Sequence, residues 1–276
     1  AMRTIASGPL FAAVRVERRL GNSDLVQEIF LRRGSARVEF RTRIEWREDH
    51  RLLKVAFPVS IHAEDAMSEI QFGYVRRPTH RNRRFDADRY EVCQQRWTAL
   101  AESRRGFAVL NDCKYGVSVA GGCISLTLLK AAFVPDMRAD RGSHEFTYAI
   151  FPWTGAFADS GLVREGYGLN CPPAANPASG GAPELSFFAI DDPAVILETV
   201  KTADDGSGDV VLRLYESLGS VARCAIDTAF PVALALATDM LERGGEPLPV
   251  EGKRIALDFR AFEIKTIRLR FAARVD

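Results

Sequence analysis

Histidine is scarce in this chain. There are four in 276 residues, His50, His62, His80 and His144, and no two stand at i, i+2 or i, i+4, which excludes a local histidine pair on a metal. The five cysteines, Cys93, Cys113, Cys123, Cys171 and Cys224, are odd in number and none lies at C-x-x-C spacing. That argues against a disulfide framework and a structural zinc site, and it suits a reducing cytoplasm. Charge of one sign is lacking as well: 37 Lys plus Arg meet 36 Asp plus Glu, so no net field asks for nucleic acid or an anionic membrane. No apolar run approaches the ~20 residues of a membrane span. The first residues do not have the charged region and long apolar core of a secretory leader. Ala1-Met2 reads as a scar of tag cleavage, the mark of a piece of something longer. No fixed repeat is present, and no dinucleotide fingerprint, P-loop or nucleophile elbow stands in its strand–turn–helix setting.

What the chain does have is period two. From Ala36 to Trp46 the even positions are apolar or Thr and the odd positions are charged, which predicts a strand with one buried and one wet face. Short runs such as "LLKVAFPV", "CISLTLL", "HEFTYAIF", "VVLRLYE" and "KRIALDF" follow it. Many short strands separated by turn residues predict a mainly β protein, a large antiparallel β-sandwich. One or two short helices are expected, at "QQRWTALAES" and "GAFADSGLVREGY". "KTADDGSGDVV" predicts a hairpin turn on Gly206 and Gly208, and "VAGGCIS" a second hairpin. A length of 276 residues suits one large β domain or two ordinary ones. The Pro/Gly/Ala-rich stretch 170–184 either breaks the chain into two lobes or wanders as a surface loop, the second being preferred.

Candidate chemistry is thin. In "LNDCKYG", Asp112, Lys114 and Tyr115 form either a loop that reaches toward a substrate or an ordinary turn, with Lys114 paired to Asp112 and Gly116 at positive φ. "MRADRGSHEFTY" places Arg141 and His144 where a cleft would let them hydrogen-bond sugar hydroxyls; a turn followed by a strand explains the spacing without function. His62, near Glu64 and Asp65, reads as a solvated strand end. The basic stretch 76–89 also carries Asp86 and Asp88, and it reads as a charged loop, not a nucleic-acid site.

Seven stretches together carry a resemblance: "WREDHRLLKVAFPV", "EIQFGYVRRPTHRN", "RYEVCQQRWTAL", "GFAVLNDCKYG", "PDMRADRGSHEFTYAIFPW", "LRLYESLG" and "FEIKTIRL". In this order they resemble the C-terminal β region of glycoside hydrolase family 38, the α-mannosidases, over residues 8 to 271, and the cytosolic and bacterial branch in particular. The resemblance implies a supersandwich similar to mutarotase-like domains, spanning 1–276. It implies hydrolysis of terminal α-D-mannosides by a zinc-bearing N-terminal catalytic domain of the same polypeptide, with a carboxylate nucleophile and a second carboxyl group as acid/base. The family's His-x-Asp zinc motif is missing here, so no nucleophile and no metal ligand is assigned to this chain. Its expected part is to wall the sugar site, with Lys130 at a position where relatives often have Arg, beside Asp112, Lys114, Tyr115, Arg141 and His144. The partners expected are the catalytic domain, a mannoside and a second copy of the chain, in the cytoplasm. Two alternatives remain: a mutarotase-type enzyme using His62 or His144 with Glu145, and a carbohydrate-binding module with an exposed platform at Trp97 or Trp153.

Overall fold

The structure, a computed structural model, describes residues 1–177, 180–181 and 184–272. It divides into two compact units, Ala1–Gln71 with Val75–Pro173, and Phe72–Tyr74 with Ala174–Asp276. The stretch 170–184 contains this division; four of its residues, 178, 179, 182 and 183, lie outside the described residues, and Cys171 to Pro177 are all exposed.

The first unit is built from β1 (Met2–Ser7), β2 (Phe11–Leu20), β3 (Ser23–Arg32), β4 (Val38–Trp46), β5 (Leu52–Pro58), β6 (Asp65–Ile70), β7 (Gly73–Pro78), α1 (Arg84–Asp88), β8 (Val92–Cys93), β9 (Trp97–Ala101), β10 (Arg105–Asn111), β11 (Gly116–Ala120), β12 (Cys123–Lys130), β13 (Gly142–Thr154) and α2 (Leu162–Asn170). Nine strands form one sheet in the order β1-β2-β3-β4-β13-β10-β9-β6-β7, and four form another, β5-β12-β11-β8. The period-two pattern decides which face is buried. Phe40, Thr42 and Ile44 of β4 stand opposite Tyr148, Phe146 and His144 of β13. Ile44, Phe146 and Tyr148 then meet Val117, Ile124 and Leu126 of the smaller sheet in one core. This is a sandwich of two antiparallel sheets, as the alternation predicts.

Three expectations from the sequence are corrected. "QQRWTALAES" is not a helix: it contains β9, in which Trp97, Thr98, Ala99 and Leu100 are all at most 1% exposed. A strand covered on both faces has no polar side, so its apolar run cannot be told from a buried helix by period. Its outer cover is α2, whose Gly166 lies so close to the Trp97 indole that a Cβ would stand 3.0 Å from the ring. Glu39, at an odd and nominally wet position of β4, is buried beneath Arg32, Arg37 and Arg41. The basic stretch 76–89 is not all loop. It folds α1, whose Asp86 side chain accepts the Arg83 backbone N–H at 3.1 Å, while the Asp86 N–H donates to the Arg83 carbonyl at 3.0 Å. The second predicted helix, within "GAFADSGLVREGY", is present as α2.

The second unit has β14 (Phe188–Ile190), β15 (Val195–Thr202), β16 (Val210–Glu216), β17 (Ala222–Thr228), β18 (Val232–Thr238), β19 (Glu246–Pro247), β20 (Val250–Glu251), β21 (Arg254–Phe259) and β22 (Ile264–Phe271). They make sheets β14-β17-β21-β20 and β15-β16-β22-β18-β19. Leu212, Leu214, Ile226, Ile255, Phe259, Ile267 and Leu269 fill the core between them. The β15–β16 hairpin turns on Gly206 and Gly208, at φ 72° and 81°, where the sequence places it.

Candidate functional site

The polar loop after β10 is built on Asn111. Its backbone N–H donates to Arg96 O at 2.9 Å, and its side-chain Nδ2 donates to Gln95 O at 2.9 Å. Its Oδ1 accepts from the Lys114 N–H at 2.6 Å, and its carbonyl accepts from Asn170 Nδ2 at 3.0 Å. Every polar group of this buried side chain and its backbone is thus engaged. Asp112 extends the ladder between β10 and β13 by a rung: its N–H donates to Thr147 O at 3.1 Å and its Oδ2 accepts from Thr147 N at 2.8 Å.

Lys114 does not pair with Asp112. Its Nζ lies 4.6 Å above the Phe146 ring, a cation–π contact that a turn reading could not foresee. Tyr115 is half exposed, and its carbonyl accepts from the Gln94 N–H at 2.9 Å. Cys113 is exposed, yet partial desolvation of its thiol and Asp112 beside it push it up to about 11, so it is a poor nucleophile at neutral pH. Gly116 is not at positive φ. It sits within β11 because a side chain would meet Glu91 Oε1 at 3.0 Å and Thr127 Cβ at 3.2 Å.

Behind the loop stands a network that sequence reasoning missed. Gln94 Nε2 donates to Lys114 O at 3.2 Å, and Thr98 Oγ1 lies 3.1 Å from Gln94 Oε1. Arg96 pairs with the buried Glu69 at 2.9 Å and lies 3.6 Å from the Tyr167 ring centre. Burial pushes the Glu69 carboxyl above its usual value against the pull of Arg96. The Gln-Gln-Arg run and the Asn-Asp run are therefore two halves of one scaffold, and the recurrence of polar residues before buried Trp97 was the available signal.

The other candidates stand near the first residues of β13. Asp140, at φ 60°, ties the end of β12 to that strand: its Oδ2 accepts from the Lys130 N–H at 2.6 Å, and its carbonyl lies 2.7 Å from His144 Nε2. Arg141 donates from Nε to Asp49 Oδ1 at 2.8 Å. The Lys130 side chain is exposed. The structure thus gathers Lys130, Arg141 and His144 in one group and Asp112, Lys114 and Tyr115 in another, both along β13. A cleft of about 570 Å³ in this unit is lined by Arg32, Arg37, Glu39, Arg41 and Thr147 on the outer face of the large sheet; none of the six candidates lines it, although Thr147 is the ladder partner of Asp112.

Among the described residues no group of three or more His, Cys, Asp or Glu could hold a metal ion. His144 is spent on Asp140, His80 lies 3.8 Å from Asp86, and His50 packs edge-on to Phe133. These residues do not fit the zinc site that the resemblance implies for the whole enzyme. His144 and Glu145 sit on opposite faces of β13, with Glu145 turned to Arg43, which leaves the mutarotase pair without a common substrate side. Trp97 and Trp153 are buried, at 1% and 8% exposure, so neither is a sugar platform.

Two family models match the sequence: the glycosyl hydrolases family 38 C-terminal domain over residues 1–138, and the family 38 C-terminal beta sandwich domain over residues 194–267. The chain belongs to glycosyl hydrolase family 38. It is 44% identical over 254 residues to Alpha-mannosidase 2C1 of Mus musculus and of Homo sapiens, which covers 90% of this chain and 24% of theirs. Alpha-mannosidase G of Dictyostelium discoideum is 37% identical over 96% of this chain and 26% of its own. The chain therefore spans about a quarter of the length of these relatives. Its fold is similar to that of an alpha-mannosidase from Enterococcus faecalis V583, with TM-score 0.79 over 98% of this chain and 35% of that one, at 16% identity. As the C-terminal part of a family 38 protein, the chain lets its motifs be read in structural terms. In "LRLYESLG" the buried Glu216 accepts from the N–H groups of Leu218, Gly219 and Ser220 at 2.8, 2.8 and 3.1 Å, and from Phe262 N at 3.0 Å. This family 38 motif is a folded knot, as "NDCKYG" is.

Proposed function

We propose that this chain is the non-catalytic β region of a cytoplasmic α-mannosidase that hydrolyses terminal α-D-mannosides. The zinc and the reacting carboxylates then belong to the remainder of the polypeptide. The observation that carries this reading is the 44% identity, across 90% of the chain, to relatives named as α-mannosidases of which it spans 24%. The Asn111 and Gln94 networks support a scaffolding role: both side chains are neutral amides, which neither take up nor release a proton at neutral pH, and both are engaged in holding the loop. All five cysteines are free, in keeping with a reducing compartment.

Lys130, Arg141 and His144, with Asp112, Lys114 and Tyr115 along the same strand, are the side chains we place on the substrate side. Arg141 would have to leave Asp49 to hold a sugar hydroxyl. The test is bound-metal analysis and aryl α-mannoside hydrolysis, on the 276-residue chain and on the full polypeptide that contains it. Zinc and turnover are expected only in the full polypeptide. Turnover by the chain alone would overturn the allocation of the chemistry, and an inert full polypeptide would overturn the mannosidase reading. Lys130→Ala in the full polypeptide is expected to raise KM with folding intact; an unchanged KM would remove Lys130 from the substrate side.

A further inference from the structure

Away from these loops, β6, β7, β8 and the segment carrying α1 enclose a cavity of about 30 Å³. Ala66 and Val92 give it apolar walls, while Ser68, Arg77, Asp86 and Arg89 bring polar groups to it. Arg77 is the unusual member. Its Nη1 is fully buried and has no hydrogen-bond partner. Arg77 as a whole is only partly buried, so it is this one N–H that is out of water, and a buried donor left unpaired is destabilising unless something accepts from it. Asp86 is the carboxylate at the cavity, and it is already engaged. Arg83 donates to it from Nε at 3.0 Å, from Nη2 at 3.2 Å and from its backbone N–H at 3.1 Å, and His80 Nδ1 lies 3.8 Å away. Burial, together with the like charge of Arg89, holds the Arg77 guanidinium below its ordinary basicity, and Cys93 offsets this only in part.

Two guanidinium groups therefore face a small cavity whose acid is committed to a third. A water molecule needs about 10–15 Å³ of such volume, so there is room for roughly two. That is the size of the O–C–O of one carboxylate and too small for a sugar ring. Water alone would accept the Arg77 N–H but bring no charge, whereas a carboxylate supplies two acceptor oxygens and a negative charge that the partly buried Arg77 and the exposed Arg89 can share. We propose that this cavity binds a small free carboxylate, of the formate or acetate class, between Arg77 and Arg89.

The test is thermal unfolding of the 276-residue chain during titration with sodium formate, ionic strength being held constant with sodium chloride. A ligand that binds only the folded state raises the midpoint saturably. A saturable rise is expected for the wild type, with apparent affinity weakened about tenfold or more in Arg77→Met, the loss appropriate to a charge-assisted hydrogen bond. Without formate, Arg77→Met is expected to unfold at or above the wild-type temperature, because the buried, unpaired N–H is gone. Should Arg77→Met fail to fold, the exposed Arg89→Gln tests the same site and is expected to weaken formate without disturbing the fold. No saturable rise in the wild type, or an equal rise in both variants, overturns the proposal. So does a crystal structure grown in formate that shows only water at Arg77.

Discussion

Glu216 and Glu39 are both buried carboxylates, and they are satisfied by opposite means. Glu216 takes four backbone N–H groups, so replacing it strands four donors inside the fold. Glu216→Ala is expected to cost about 3 kcal/mol in urea unfolding, with Glu216→Gln between it and the wild type. A loss below about 1 kcal/mol would show that those amides find other partners. Glu39 takes guanidinium groups instead. Burial alone would raise its pKa, but the hydrogen bonds and charges of Arg32 and Arg37 outweigh that and hold it below the ordinary 4.5. A carboxylate depressed in the folded state contributes stability that is present above the unfolded value and is lost as pH falls through the folded one. Stability is therefore expected to fall on acidification below about pH 4.5, and Glu39→Gln to flatten that fall. An equally steep acid limb in the variant would assign it to other carboxylates. Neither role was legible in the sequence: Glu216 closes a largely apolar strand and Glu39 stands in the charged alternation of β4, and the partners of each arrive from turns and strand neighbours that spacing cannot reveal.

Among the elements, legibility followed water. Strands β4, β12 and β21 each alternate between a buried and a more open face, and that alternation gives both their type and their inward residues, Ile44, Leu126 and Leu257 among them. The Gly-rich hairpins were equally plain, since positive φ at Gly121, Gly206 and Gly208 leaves a chemical trace. Strand β9 loses its signal because both faces are covered, and the candidate loop loses its role because Asn111 and Gln94 meet only in three dimensions. One glycine shows what such hidden contacts demand. Gly106 on β10 stands opposite Trp153 on β13, and a Cβ there would come within 2.0 Å of the indole. The ring lies over the glycine backbone and fills the space a side chain would need. Gly106→Ala is expected to destabilise the first unit by about 2 kcal/mol through overpacking, read as a lower unfolding midpoint with a shifted tryptophan emission. An unchanged midpoint would mean that the ring can turn aside at no cost.

At the scale of the whole chain, two sandwiches each close their own core, one around Ile44, Val117 and Tyr148 and the other around Leu212, Ile226 and Ile267. The chain passes from one unit to the other after Pro173. A loop that joins two closed cores has no apolar face to bury and no ladder to complete, and its composition follows: Pro172, Pro173, Ala174, Ala175, Asn176 and Pro177 are exposed and belong to no helix or strand. Proteases need an extended, accessible backbone of about this kind. The loops 79–83 and 131–141 compete with it, but both are tied down. Thr79 Oγ1 donates to Ala63 O at 2.8 Å, and Asp140 Oδ2 holds the Lys130 N–H. Brief digestion with a protease of broad specificity is therefore expected to cut first between residues 171 and 187, giving two fragments whose masses sum to the intact chain plus one water. A first cut inside 79–91 or 131–141 would show that the ties at Thr79 and Asp140 are weaker than the exposed prolines, and that the passage between the units is the better protected segment.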